Sequence, residues 1–347
     1  MSSPDFYRAF EDRFRGSASV IEARLAVYLP FVRPVADAHQ GATLTDLGCG
    51  RGEWLALLER AGIPARGVDK DETMLAACRE QGLKVECADA IDYLKRLPDA
   101  SQVAVSAFHF VEHLPFDSLH EVAREATRVL RPGGLLILET PNPESLIVSS
   151  TDFYNDPSHR QPLPPKLLAF LAEFHGFVDI KVLRLQERRD LPRNGMSLWG
   201  VLTGTSPDYG VIARKPGDPP TAEIAAFQQD YGVTLESLAI DYDIAMRTAF
   251  AELRERLDAA QAAAANAAQS AQQAAEVARQ ASAASAEAAA AAATAREAQQ
   301  ALQATQSELA SVQARLEQEK SLVQTVLASR SWRITAPLRW LGDKLRP

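Results

Sequence analysis

The stretch Thr43 to Trp54, Thr-Leu-Thr-Asp-Leu-Gly-Cys-Gly-Arg-Gly-Glu-Trp, constrains the fold more than any other part of the chain. An apolar run ends at Asp46, Gly48, Gly50 and Gly52 follow at alternate positions, and a helical pattern opens at Glu53. That order predicts a strand, a glycine-rich turn and a helix. Glycines there let the backbone take positive φ and come close to a ligand, while N–H groups at the helix start face its polar end. About twenty residues on, a second short strand is expected to end at Val68-Asp69, where a carboxylate can accept both hydroxyls of a ribose. A nucleoside is the expected ligand. The Gly-x-Gly-x-Gly spacing differs from the Gly-x-Gly-x-x-Gly of dinucleotide folds.

Beyond this turn the pattern alternates: strand 65–68, helix 72–80, strand 84–87, a helix opening at Asp89-Ala90, strand 103–107, helix 118–130 and strand 135–139. Alternation of this kind predicts a parallel sheet with helices on both faces and ligands at the carboxyl ends of the strands. A helix over 165–175 and strands over 178–185, 197–203 and 211–214 are expected to complete the sheet, ending the domain near Lys215. Ahead of the first strand, residues 5–29 read as a helix with Phe6, Phe10 and Phe14 on one stripe.

The glycine-rich turn, Asp69, the Glu112-His113-Leu114-Pro115 step, the Arg131-Pro132-Gly133-Gly134 turn and Thr140-Pro141-Asn142-Pro143 together resemble class I methyltransferases that use S-adenosylmethionine. The resemblance covers about residues 40–145. It implies an α/β, Rossmann-like domain with a seven-stranded sheet over residues 1–215. It also implies that Asp46, Gly48, Gly50, Gly52, Asp69, Asp89, Ala90 and His109 hold the cofactor, with Asp89 near the adenine amino group. Tyr7, Arg13 or Arg15, on the covering helix, is the candidate for the methionine carboxylate, Arg15 first, since a guanidinium fork matches a carboxylate.

Methyl transfer from a sulfonium is an in-line displacement, so the acceptor must be nucleophilic and aligned with the S–CH₃ bond. A sugar hydroxyl is a poor nucleophile at neutral pH, and a nearby histidine or carboxylate can take its proton as the new bond forms. His113 is the first candidate base, His159 the second, with Glu112 beside them. The proline-rich loop 149–165 carries Asp152, Tyr154, Asp156, His159 and Arg160, a composition suited to a sugar. His109, Glu112 and His113 also resemble the metal-holding Glu-x-x-Glu-His of small-RNA and ubiquinone-type methyltransferases. Histidine replaces the first glutamate, and no metal is assigned.

A net charge of −8 argues against a nucleic-acid-coating protein. Three cysteines without a Cys-x-x-Cys pair suit a reducing compartment and offer no zinc site. The N-terminus lacks a signal-peptide pattern and no apolar run approaches a bilayer span, so a cytoplasmic location is expected, with a peripheral contact at the inner membrane.

The second half changes character. Residues 216–245 read as linker and short helices. From 246 to 330 heptad spacing places Met246, Leu253, Leu302, Leu309, Leu316 and Val323 at one core position, with Phe250 and Leu257 four residues, and Val312 and Val326 three residues, after members of that set. The alanine-rich middle fits any frame. A single helix of roughly 80 residues would extend about 120 Å, and its apolar ends predict a parallel homo-oligomeric coiled coil. The tail 331–347 carries Ile334, Leu338, Leu341 and Leu345 at helical spacing, with Trp332, Trp340 and a basic rim, a pattern for an anionic membrane surface or a protein partner. Its Ser331-Trp-Arg-Ile-Thr-Ala-Pro-Leu-Arg339 string resembles a segment of polysaccharide-assembly methyltransferases and glycosyltransferases. The whole layout resembles bacterial O-antigen chain-terminating methyltransferases. That resemblance implies a glycan acceptor, with a glycosyltransferase as a candidate partner. A small metabolite, quinone or RNA end is the alternative acceptor, and a non-catalytic scaffold the second alternative.

Overall fold

The computed structural model describes residues 16–188, 197–217, 221–281, 287–330 and 334. The chain divides into two compact units, Met1–Leu238 and Ala239–Pro347.

In the first unit, α1 (Ala18–Leu25), a 3₁₀ turn (Ala26–Tyr28) and α2 (Leu29–Ala38) precede β1 (Thr43–Leu47). The helix expected over 5–29 is thus divided in its described part, and its first residues, Arg15 and the three phenylalanines included, lie outside the described residues. Pro30 has no N–H to donate and sits in the first turn of α2, where none is needed. The alternation then runs α3 (Glu53–Arg60), β2 (Ala65–Asp69), α4 (Glu72–Glu80), β3 (Val85–Cys87), α5 (Ala90–Arg96), β4 (Gln102–Phe108), α6 (Phe116–Val129) and β5 (Leu130–Pro141). After α7 (Leu146–Ser150) and α8 (Pro165–Phe174) come β6 (Val178–Leu185), α9 (Leu198–Thr203) and β7 (Asp208–Arg214).

The seven strands form one sheet in the order β3-β2-β1-β4-β5-β7-β6. β1 to β5 are parallel and β7 runs antiparallel to both of its neighbours. Strand order reverses between β1 and β4, which opens a crevice at their carboxyl ends. The pleat divides the core in two. Leu136 and Leu138 pack with Leu94, Leu119 and Leu168 on one face, and Leu135 and Ile137 with Phe31, Trp54 and Leu58 on the other.

Three expectations change. Residues 197–203, read as a strand, form α9, because the Ser197 side chain accepts the Gly200 N–H at 3.0 Å and caps a helix start. The first unit runs past Lys215 to Leu238. Helix α10 (Thr221–Gln228) brings Phe227 edge-on to Phe31, ring centroids 5.2 Å apart, and Leu238 is buried.

The third change lies in the second unit, where two helices, α11 (Leu235–Ala281) and α12 (Glu287–Ala328), replace one continuous helix, and residues 282–286 lie outside the described residues. All ten heptad positions named above are half-buried, and Ala260, Ala264, Ala267, Ala271, Ala274 and Ala278 continue the stripe where the sequence left the frame open. Burial raises the Tyr242 phenol, and the charges of Asp243 and Glu319 raise it further. Residues 242 and 319 are 77 positions apart (319 − 242), about 115 Å along a straight helix and far beyond Coulomb reach. The second helix therefore returns along the first. Apart from Ile334, the tail 331–347 lies outside the described residues, among which no helix is long and apolar enough to cross a membrane.

Candidate active site

The tips of β1 and β2 form the cradle the turn predicts. Gly48, Gly50 and Gly52 take φ of 67°, 49° and 80°, a left-handed region that penalises any side chain. The N–H groups of Gly48 and Cys49 donate to the Val68 carbonyl at 2.8 and 3.1 Å, which ties the turn to β2. Gly50 N–H donates to Asp69 Oδ2 at 3.0 Å and Asp71 N–H to Oδ1 at 2.9 Å. Two backbone donors thus fix the Asp69 carboxylate, and each oxygen retains accepting capacity for a ribose hydroxyl. Asp89 caps α5 by accepting the N–H groups of Ile91 and Asp92 on Oδ1, while Lys70 Nζ stands 2.6 Å from Oδ2. Burial raises this carboxyl, but Lys70 and the two N–H groups bring it below its ordinary value. Ala90 behind it is buried.

A cavity of about 320 Å³ runs from this cradle toward the β4–β5 edge. Asp46 lines it near Gly48 and accepts the Ser106 hydroxyl at 2.7 Å. Arg24 and Trp54 line it too, and the buried Trp54 Nε1 has no hydrogen-bond partner among the described residues. A guanidinium and an unused indole N–H suit a carboxylate, as Asp46 suits an ammonium, so the donor set fits the methionine end of S-adenosylmethionine.

At the end of β4 the backbone turns sharply, with His109 at φ 50°, into a 3₁₀ helix, Val111–His113. His109 keeps 37% of its side chain open to the cavity but stands among carboxylates. Its Nδ1 lies 3.3 Å from Glu112 Oε1, and its Nε2 lies 3.4 Å from Glu139 Oε1 and 3.9 Å from Asp208 Oδ1. Burial lowers the imidazole, yet Asp208, Glu112 and Glu139 outweigh it and raise it well above its ordinary value. Asp208 is pushed up to about 6, mainly by burial. Tyr28 donates to Glu139 Oε2 at 2.5 Å.

The three candidate catalytic residues meet in space. His113 and His159 have ring centroids 4.8 Å apart, and both line the cavity, with Glu112 buried beside them. Asp152 and Asp156 from the 149–165 loop line the same wall, whereas Tyr154 is exposed. His159 Nδ1 bonds the Phe153 carbonyl at 2.6 Å, so this nitrogen carries the proton of a neutral ring and Nε2 bears the lone pair. Burial lowers the His159 pKa, which keeps the ring neutral at pH 7. Burial raises Glu112, but His109 and His113 bring it below its ordinary value.

Arg24, Trp54, Glu139 and Asp208 were not singled out from the sequence. Glu139 carried the same signal as Asp46 and Asp69, an acid at the end of an apolar strand. Asp208 did not, because only the reversed direction of β7 brings the start of that strand to the edge where the others end.

Comparison with known proteins agrees with this geometry. Residues 45–138 match the family described as a methyltransferase domain. A probable S-adenosylmethionine-dependent methyltransferase of Mycobacterium tuberculosis is 36% identical over 140 residues, 40% of this chain and 50% of that one. The 27-O-demethylrifamycin SV methyltransferase of Amycolatopsis mediterranei is 34% identical over 122 residues, 33% of this chain and 42% of the relative. The chain spans about half the length of the curated relatives it matches. A solved S-adenosylmethionine-dependent methyltransferase from Archaeoglobus fulgidus is 35% identical with a TM-score of 0.53, covering 60% of this chain and all of that one. The chain belongs to the class I S-adenosylmethionine-dependent methyltransferases.

Proposed function

We propose that the protein transfers the methyl group of S-adenosylmethionine to a hydroxyl of a bacterial surface glycan, at the terminal sugar of a chain such as O-antigen. The observation that carries this reading is the continuity of one cavity from the glycine-rich cradle to His113 and His159. In the transfer the S–CH₃ bond breaks as the O–CH₃ bond forms, and S-adenosylhomocysteine leaves as a neutral thioether. The hydroxyl loses its proton beside the cluster of Glu112, His113 and His159. Asp46, Asp69 and Asp89 hold the cofactor by its ammonium, ribose and adenine ends. Carboxylates and imidazoles on the acceptor side suit a ligand rich in hydroxyls, and the relative from Amycolatopsis mediterranei is named for an oxygen acceptor. The glycan assignment rests further on the tail resemblance. In this reading the tail 331–347 holds the enzyme at the inner face of the membrane beside a glycosyltransferase, and the helical unit spaces it or joins copies of it.

The test is mass spectrometry of the surface glycan from a strain lacking this chain. A methyl ether on the terminal residue should vanish and return with the intact gene. An unchanged glycan, with loss of a methyl group from a small metabolite or quinone instead, would overturn the acceptor assignment.

A further inference from the structure

We propose that Glu112 Oε1, His113 Nε2 and His159 Nε2 together bind a divalent first-row transition cation, whose remaining coordination positions receive the acceptor hydroxyl. The inference deepens the transfer reading above and rests on it only for the identity of that hydroxyl.

Three observations converge. One ligand atom from each of Glu112, His113 and His159 lies within 4.8 Å of the other two, and His159 Nε2 is 3.9 Å from Glu112 Oε1. Metal bonds of about 2.1 Å require separations of roughly 3 to 3.5 Å, a change within reach of side-chain rotation. The Glu112 side chain is fully buried, and its Oε1 accepts no hydrogen bond among the described residues. The His109 ring stands near that oxygen but out of line with it. A buried acceptor left unused costs stability unless something else occupies it.

The hydrogen bonds around the cluster leave these three lone pairs bare. Thr140 Oγ1 donates to Glu112 Oε2 at 2.9 Å, which leaves Oε1. His159 Nδ1–H donates to the Phe153 carbonyl, which leaves Nε2 facing Glu112 and Asp156 Oδ2, the latter 3.8 Å away. Ser158 Oγ spends its one proton on Asp156 Oδ1 at 2.6 Å, so at its 3.0 Å contact with His113 Nδ1 the imidazole must donate. That leaves His113 Nε2 bare as well. Ligating histidines commonly anchor their second nitrogen on a carbonyl or on a hydroxyl–carboxylate relay in this way. Lone pairs facing one another in a buried site repel unless a cation or proton lies between them.

The surroundings supply negative charge. Six carboxylates, Asp46, Glu53, Glu139, Asp152, Asp156 and Asp208, line the cavity, against two cations among the described residues, Arg24 and the raised imidazole of His109. Two imidazole nitrogens and one carboxylate oxygen favour manganese, iron, cobalt or zinc over magnesium, and three protein ligands leave positions open. A hydroxyl bound there loses its proton more readily and gives it to water rather than to an imidazole.

The experiment titrates Mn²⁺ into chelator-treated full-length protein and follows electron paramagnetic resonance, with S-adenosylhomocysteine binding measured separately. One ion per chain should bind, and pulsed spectra of the wild type should contain couplings from two imidazole nitrogens. Glu112→Gln and His159→Gln should each weaken Mn²⁺ binding at least about 100-fold while retaining S-adenosylhomocysteine affinity. Absence of nitrogen coupling in the wild type, or wild-type Mn²⁺ affinity in either variant, overturns the proposal. Asp69→Asn should lose S-adenosylhomocysteine and keep the ion. Bound Mn²⁺ with nitrogen couplings, in wild-type protein that takes up no S-adenosylhomocysteine, would sink the transfer reading and leave the metal site standing.

Discussion

Replacing Gly48 by alanine tests whether the cradle has the shape described, and Gly62→Ala supplies its control. Both glycines are left-handed, at φ 67° and 70°, so each alanine carries a similar backbone penalty of about 1 to 2 kcal/mol. A stiffer unfolded chain offsets that penalty by roughly 0.4 to 1 kcal/mol. The surroundings differ. A Cβ on Gly62 meets nothing within 4 Å, whereas one on Gly48 falls 2.6 Å from Phe110 Cδ2 and 3.3 Å from Phe110 Cβ. The contact reaches the root of the ring, which packs against a core cluster, so the whole residue must move. Overpacking of this kind costs about 1 to 3 kcal/mol. Gly62→Ala should therefore lose about 1 kcal/mol and Gly48→Ala about 2 to 4 kcal/mol. Denaturant unfolding followed by intrinsic fluorescence measures both, and equilibrium dialysis measures the cofactor product. Gly48→Ala should weaken S-adenosylhomocysteine at least tenfold and Gly62→Ala less than twofold. Equal stability losses, or an unchanged affinity in Gly48→Ala, would refute the packing argument.

Other outcomes follow from the same geometry. Because the folded pKa of His159 is lowered, the unfolded chain binds more protons in the window below about 6.5. Transfer rate and the stability tied to this residue should both be full above that value and fall as pH drops through the lowered folded pKa. His159→Gln should remove the stability part of that slope, read by thermal melts between pH 5 and 7. Spin labels at positions 242 and 319 should report a short distance within one chain, while a single continuous helix would put them beyond measurable range. Thr140→Val removes the hydroxyl that donates to Glu112 Oε2 and should destabilise the protein by about 1 to 3 kcal/mol in a melting assay. A change below about 0.5 kcal/mol would contradict the buried network.

What could be read ahead of the structure was local. The glycine turn and the acids at the strand tips declare themselves because backbone freedom and charge are encoded at single positions. The heptad leucines did so because helical spacing is regular. That residue 319 comes near residue 242 was hidden, since alanine fits every frame. Residues 197–203 looked like a strand because Val201 and its apolar neighbours obscured the capping serine. His159 was named for its loop composition, but its place beside His113 depends on the 3₁₀ turns that bring the two segments together. Arg24 stood out no more than any other surface-helix arginine, and the candidate first chosen for its role, Arg15, lies outside the described residues.

The central claim is that a sulfonium nucleoside lies across β1 and β2 with its ribose on Asp69. Isothermal titration of wild type and Asp69→Asn with S-adenosylhomocysteine tests it most directly. The amide that replaces the carboxylate in this variant can keep only one of the two backbone donors and cannot receive both hydroxyls. Loss of two hydrogen bonds at about 1.5 kcal/mol each predicts a roughly 100-fold weaker complex, against one-to-one binding in the wild type. A folded wild-type protein that releases no heat, or a variant binding as tightly as the wild type, would contradict the account.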